Sequence, residues 1–165
     1  MFIIIDTREK KDAIQKILAT FDRCGIKYSR DKLPVADYWT MDNPKVAVDR
    51  KQNLLEIATN VAQGHDRFVR ELTKAKEMGI HLVILCEHGT QVRELTDVIR
   101  WENPRLKQSP LALTGERLYR IMTAISKKYG VEWQFCTKAD TGYRIIEILS
   151  REVTDNAEEN GQADT

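Results

Sequence analysis

Apolar residues in this 165-residue chain follow two rhythms, and the switches between them mark out the elements. Phe2-Ile3-Ile4-Ile5 and residues 80–86, the latter broken only by His81, are continuous apolar runs of the kind that a strand buried on both faces requires. Residues 26–30 alternate like a half-buried strand, residues 33–38 and 46–51 read as the two strands of a hairpin around the turn signal Met41-Asp42-Asn43-Pro44, and residues 131–135 read as an edge strand. Between these runs the spacing changes to i, i+3, i+4 and i+7. Ile14, Ile17, Leu18 and Phe21 predict a helix ended by Cys24-Gly25. Leu54, Ile57, Ala58 and Val61 predict one that starts near Gln52-Asn53 and stops at Gly64, and Phe68, Leu72 and Ala75 predict one over residues 66–78. Further helices are expected over 91–100, from an N-cap at Thr114 to Gly130, and over 137–151, with a loop over 102–113 that carries Pro104 and Pro110 and is a candidate for substrate contact. The alternation of strand and helix patterns predicts an α/β fold, with a mixed central sheet of about five or six strands flanked by helices on both faces.

The hairpin carries the candidate chemistry. Side chains alternate along a strand, so Asp49 and Lys51 share one face and Arg50 takes the other. With Asp37 at the end of the first hairpin strand, a second carboxylate faces the same spot. Magnesium prefers oxygen ligands, keeps several waters, and is commonly held by one or two carboxylates together with phosphate oxygens. Asp37 and Asp49 suit that role, and Lys51 beside them suits orienting or deprotonating a water, or stabilising charge on phosphate oxygens. On spacing alone the trio reads equally well as a turn cap and an exposed ion pair worth at most about 1 kcal/mol. Asp6 and Arg8 follow the first apolar run, where open α/β sheets place ligand sites, and Asp6 reads equally as an N-cap.

Asp37, eleven intervening residues and then Asp49-Arg50-Lys51 resemble the PD-(D/E)XK signature of the restriction-endonuclease-like nucleases. More narrowly, residues 3–9 (Ile-Ile-Ile-Asp-Thr-Arg-Glu), residues 33–38 and Val48-Asp49-Arg50-Lys51 resemble the nuclease domain of the XPF family, over nearly the whole chain from about residue 2 to about residue 150. The family pattern is G-D-Y followed by E-R-K-x-x-x-D. Here Ala36 stands at the glycine, Asp49 at the glutamate and Leu55 at the final aspartate, with Glu56 one residue beyond. The resemblance implies a restriction-endonuclease-like fold and magnesium- or manganese-dependent cleavage of DNA, on branched or flapped substrates in repair, recombination or mobile-element replication. It implies Asp37 and Asp49 as metal ligands and Lys51 as base or stabiliser. Asp6, Arg8 and Arg50 become supporting site residues, Arg67 and Arg70 contacts to DNA phosphates, and Glu56 an accessory position for a metal-bound water. Pairing of nuclease domains, as a homodimer or heterodimer, is a further implication. The departures at Asp49 and Leu55 leave a rival reading, a weakened DNA-junction or protein-binding module of the same fold.

Length suits one nuclease domain over 1–151, followed by an acidic tail over 152–165 that lacks Lys, Arg and aromatics and is expected to be disordered. A net charge of +1 argues against binding nucleic acid by bulk electrostatics alone, so weak, salt-sensitive DNA binding is expected. Cys24, Cys86 and Cys136 have neither zinc nor disulfide spacing and read as buried thiols of an intracellular protein, cytoplasmic or nucleoid-associated. His65, His81 and His88 likewise lack zinc-site spacing. No signal peptide, membrane-length apolar run, P-loop, dinucleotide fingerprint or nucleophile elbow occurs. The expectation is therefore a stand-alone core without a helix–hairpin–helix region, a membrane role or a nucleotide cofactor.

Overall fold

The computed structural model describes residues 1–152. The expected acidic tail, apart from Glu152, lies outside the described residues. Six strands form one mixed sheet: β1 (Phe2–Asp6), β2 (Lys27–Asp31), β3 (Tyr38–Thr40), β4 (Val46–Lys51), β5 (His81–Cys86) and β6 (Glu132–Phe135), in the order β2-β1-β3-β4-β5-β6. β3 runs antiparallel to both of its neighbours, while β1 and β2, and β4, β5 and β6, are parallel sets. The C-terminal ends of β1, β4 and β5 and the start of β3 therefore meet at one edge of the sheet.

The two sheet faces are covered by different helices. α1 (Gln15–Arg23) and α5 (Thr141–Ser150) pack Ile17, Phe21, Ile145 and Ile148 against Ile3, Ile5, Tyr38 and Val48. On the other face α2 (Leu54–Ala62), α3 (His65–Glu77) and α4 (Gly115–Tyr129) pack Leu54, Ile57, Leu72, Leu118 and Met122 against Ala47, Ile84 and Cys86. Each such fully buried Leu or Ile contributes about 1.5–3 kcal/mol of transfer free energy. α2 begins at Asn53, whose side chain accepts from the Glu56 N–H, and α4 begins at Thr114, which accepts from Arg117 N–H. The start of α4 lies so close to the 95–101 segment that a Cβ on Gly115 would come within 2.4 Å of the Val98 carbonyl oxygen. No helix among the described residues is long and apolar enough to cross a membrane.

Several expectations are corrected. Residues 33–37 are bends rather than strand, and only Tyr38–Thr40 pairs. Pro34 has no N–H to give a ladder, and Ala36 sits at φ +63°, the left-handed region that takes the chain out of an extended course. The helix expected over 91–100 reduces to a 3-10 segment, Leu95–Arg100, and the last helix starts at Thr141 rather than at 137. Cys24 is exposed, while Cys86 and Cys136 are buried.

Candidate active site

The register of the hairpin sets the geometry. Tyr38 is opposite Val48 and Trp39 opposite Ala47, so one further step puts Asp37 opposite Asp49. Both side chains leave the sheet on the α2–α3 side, and the two carboxyls come within hydrogen-bonding reach of each other. Asp37 is anchored by its own N–H, which donates to the Val48 carbonyl at 2.9 Å, and by its Oδ2, which accepts from the Arg50 N–H at 2.8 Å. Lys51 Nζ lies 3.2 Å from Asp49 Oδ2 and over the Phe68 ring of α3, 5.6 Å from its centroid. Burial and the facing Asp49 charge push the Asp37 carboxyl well above its ordinary range. Burial alone would lower Lys51, but the charges of Asp49, Glu56 and Asp37 outweigh it and raise the ammonium above its usual value.

These groups form the floor of a cleft of about 280 Å³ whose walls include Arg8, Glu9, Gln52, Glu56, Arg67 and Glu71. Arg8, Asp37, Asp49, Arg50, Lys51, Glu56 and Arg67 are thus brought together. Asp6 is fully buried beneath the cleft, and Arg70 lies exposed on α3 outside it. Asp6 is an anchor: it accepts from the backbone N–H of Arg8 and of Leu33 and from Arg8 Nε, at 2.7–2.8 Å. Burial works to raise its pKa, yet the Arg8 and Leu33 donors prevail and hold it below the ordinary carboxylate value. Arg8 then spans the cleft rim, reaching Glu71 at 3.4 Å and the Ala36 carbonyl at 3.5 Å. Glu56 accepts from the Gln52 N–H at 2.7 Å across the first turn of α2. Leu55 turns out of the cleft into a neighbouring hollow.

Two site carboxylates are not legible as such in the sequence. Arg50 projects to the opposite side of β4, where Nε and Nη2 donate to Glu9 at 2.6 and 2.7 Å and Nη1 donates to Glu87 at 3.0 Å. Tyr38 Oη also donates to Glu9, at 3.1 Å. This buried bidentate pair fixes the strand whose Arg50 N–H holds Asp37, so Glu9 and Glu87 act on the cleft through Arg50. The signal was faint: Glu87 directly follows the second continuous apolar run, and Glu9 lies in the charged cluster after the first. His88 is structural, accepting from the Leu54 N–H through Nδ1 at 3.1 Å.

Among the described residues there is no cluster of three or more His, Cys, Asp or Glu side chains suited to a metal. What exists is a pair of facing carboxyls whose mutual repulsion is relieved by protonation or by a cation. A small hard ion that keeps most of its waters fits two carboxylates, whereas an all-protein cage does not.

Residues 5–149 match the ERCC4 domain. The chain belongs to the ERCC4-domain family. Its fold is similar to that of XPF from Aeropyrum pernix, with a TM-score of 0.64, 21% identity, and coverage of 90% of this chain and 63% of that one. The same archaeal protein in complex with DNA gives a TM-score of 0.63 at 19% identity, covering 90% of this chain and 62% of the other. The chain therefore spans less than two thirds of the length of these XPF structures. No curated protein sequence matches it.

Proposed function

We propose that the protein is a metal-dependent endonuclease that hydrolyses DNA phosphodiesters. Membership of the ERCC4-domain family supports a DNA nuclease, and the fold shared with an XPF protein solved on DNA supports a DNA substrate. The observation that carries the metal-dependent reading is the facing Asp37–Asp49 pair with Lys51 3.2 Å away on the floor of an open cleft.

Asp37 and Asp49 would hold magnesium or manganese, which supplies charge neutralisation at the scissile phosphate and a more acidic water. Asp37 is kept in place by the Val48 carbonyl and the Arg50 N–H, so its carboxyl does not swing away from Asp49. Lys51, held charged by Asp49, enters as a donor: its ammonium hydrogen-bonds a non-bridging phosphate oxygen as negative charge builds there. In hydrolysis a water oxygen bonds to phosphorus, the bond to one ester oxygen breaks, and that oxygen leaves with a proton. Arg8 and Arg67 at the rim meet the flanking phosphates. Branched or flapped DNA is the proposed substrate class, in repair, recombination or mobile-element replication.

The test is cleavage of labelled branched and linear DNA with magnesium or manganese, against chelator. Cation-dependent cutting is expected, and cutting that survives chelation would remove the two-carboxylate mechanism. The rival binding-module reading draws on one observation, Leu55 facing away from the cleft where the family pattern places an aspartate. Asp49→Glu separates the two, because a weakened nuclease gains cutting from the restored methylene. Pairing of two copies through the β6 edge and α5 is proposed as well, and sedimentation showing only a 19.1 kDa species would defeat it.

A further inference from the structure

A second hollow, of about 500 Å³, lies beside the cleft between α2, residues 103–113 and α4. The two share the first turn of α2, where Glu56 faces the cleft and Leu55 faces the hollow. Their chemistry is opposite. Five carboxylates line the cleft, whereas no acidic residue lines the hollow, which has two arginines, Arg105 and Arg117. Neither guanidinium has a carboxylate or hydrogen-bond partner among the described residues, a condition shared with Arg70 and Arg93, whereas Arg8, Arg50, Arg100, Arg120, Arg144 and Arg151 are paired. The floor is apolar, with Ala58, Leu113 and Ile121, and Leu111 on the lip is 87% exposed, the highest value among the exposed large hydrophobic side chains.

The segment that carries this leucine is built to hold its shape. The buried Asn103 ties its two ends together, its Nδ2 donating to the Leu113 carbonyl at 2.9 Å and its Oδ1 accepting from the Arg105 N–H at 3.0 Å. Inside the loop the N–H groups of Gln108 and Ser109 bond back to the Arg105 carbonyl, and that of Ala112 to Ser109. An exposed leucine on a braced loop, beside unpaired cations and above an apolar floor, suits an anionic chain with flat apolar faces.

We propose that this hollow takes the unpaired strand of a branched DNA as it leaves the cleft. Arg105 and Arg117 contact its phosphates, and Leu111 lies against the base at the branch point, as apolar wedges do where stacking is interrupted. The proposal rests on the reading of the neighbouring cleft as a nuclease site. It assigns the preference for branched over linear DNA to residues 103–117 rather than to the cleft.

The test uses the full chain in two assays. In chelator, binding of fluorescein-labelled oligo(dT) is followed by anisotropy over a salt series. The Arg105→Ala/Arg117→Ala double variant is expected to bind at least about tenfold more weakly at low salt, with a log–log salt slope shallower by about 1.4, the value for two lost single-strand phosphate contacts. Leu111→Ser is expected to weaken binding several-fold without changing the slope. In magnesium, both variants should cut linear duplex at the wild-type rate and lose most of the flap-over-linear preference. Equal oligo(dT) binding and equal slope for wild type and double variant, with metal-dependent cutting intact, would overturn this proposal alone. Wild type that fails to bind oligo(dT) at low salt would overturn it. Absence of cutting together with the predicted loss of oligo(dT) binding would overturn the nuclease reading and leave the strand site standing.

Discussion

Asp6 and Asp37 sit at the same end of the sheet, linked by the Asp6 N–H donating to the Asp37 carbonyl at 2.8 Å, yet their carboxyls are in opposite electrostatic states. Asp6 is fully buried but has three N–H donors, and it is held below the ordinary carboxylate range despite its burial. Asp37 has the single N–H of Arg50 as a donor to its carboxyl, and burial together with the facing Asp49 carboxylate pushes it well above that range. Burial works to raise both carboxyls; at Asp6 the donors outweigh it, while at Asp37 a single donor does not and the facing Asp49 charge adds to it, so the first carboxylate is finished by the fold and the second is left wanting a positive charge. Asp6 belongs to the scaffold. Asp37 and Asp49 are where a cation has something to gain.

The largest effect that can break this contrast is on cutting. Asp49→Asn removes charge at nearly constant shape, so DNA cleavage is expected to fall by about a thousandfold or more while thermal unfolding stays near wild type, as read by gel assay and by circular dichroism. Lys51→Ala should lose cleavage comparably yet keep divalent-cation binding, because an ammonium is not a ligand.

On the scaffold side, Asp6→Ala orphans three donors and is expected to cost about 3 kcal/mol or more in denaturant unfolding. Glu9→Ala should cost about 3–5 kcal/mol, because it leaves the buried Arg50 guanidinium short of its bidentate partner. An unfolding midpoint unchanged in either variant would contradict the anchoring roles.

The two carboxylates also predict opposite pH slopes. Asp6, with its folded pKa lowered, contributes stability that is present above about pH 4 and lost as pH falls through its folded value. Asp37, with its folded pKa raised, favours the folded state while protonated, and that contribution is lost as pH rises from about 4 through its folded value. Metal-free Asp37→Asn should therefore be more stable than wild type at neutral pH, and magnesium should stabilise wild type more at pH 8 than at pH 5. Thermal melts of both proteins across pH, with and without magnesium, check this.

The smallest expected effect concerns the bend that delivers Asp37. Ala36 holds φ +63°, where a Cβ is unfavourable by about 1–2 kcal/mol, so Ala36→Gly should stabilise the protein by up to about 1 kcal/mol. No gain in the denaturant midpoint would mean that the bend is relaxed in solution.

How much of this the sequence carried differs between the two regions. Period-2 alternation in 46–51 is local, so it reveals that Asp49 and Lys51 share a face. The apolar runs of β1 and β5 reveal buried strands in the same way. The position of Asp37 was right in outcome, since it does face Asp49, but the strand expected to carry it is a bend set by Pro34 and a left-handed Ala36. Glu9 and Glu87 were missed because their partner, Arg50, lies 41 and 37 residues away, and no spacing rule spans such distances. Arg70 shows the converse limit: helical charge in the right region does not say which side of α3 meets the cleft. The 3-10 segment Leu95–Arg100 replaced an expected helix where the chain must fit its carbonyls against Gly115, a tertiary constraint with no local signature.

The most direct test of the central claim is a carboxyl-carbon NMR titration of Asp37, with and without saturating magnesium. Without metal its midpoint should lie well above about 3.9, the ordinary aspartate value, and magnesium should drive it below that value as the facing pair gains a shared cation. An Asp37 that titrates near the ordinary value without metal, and does not respond to magnesium, would contradict the account.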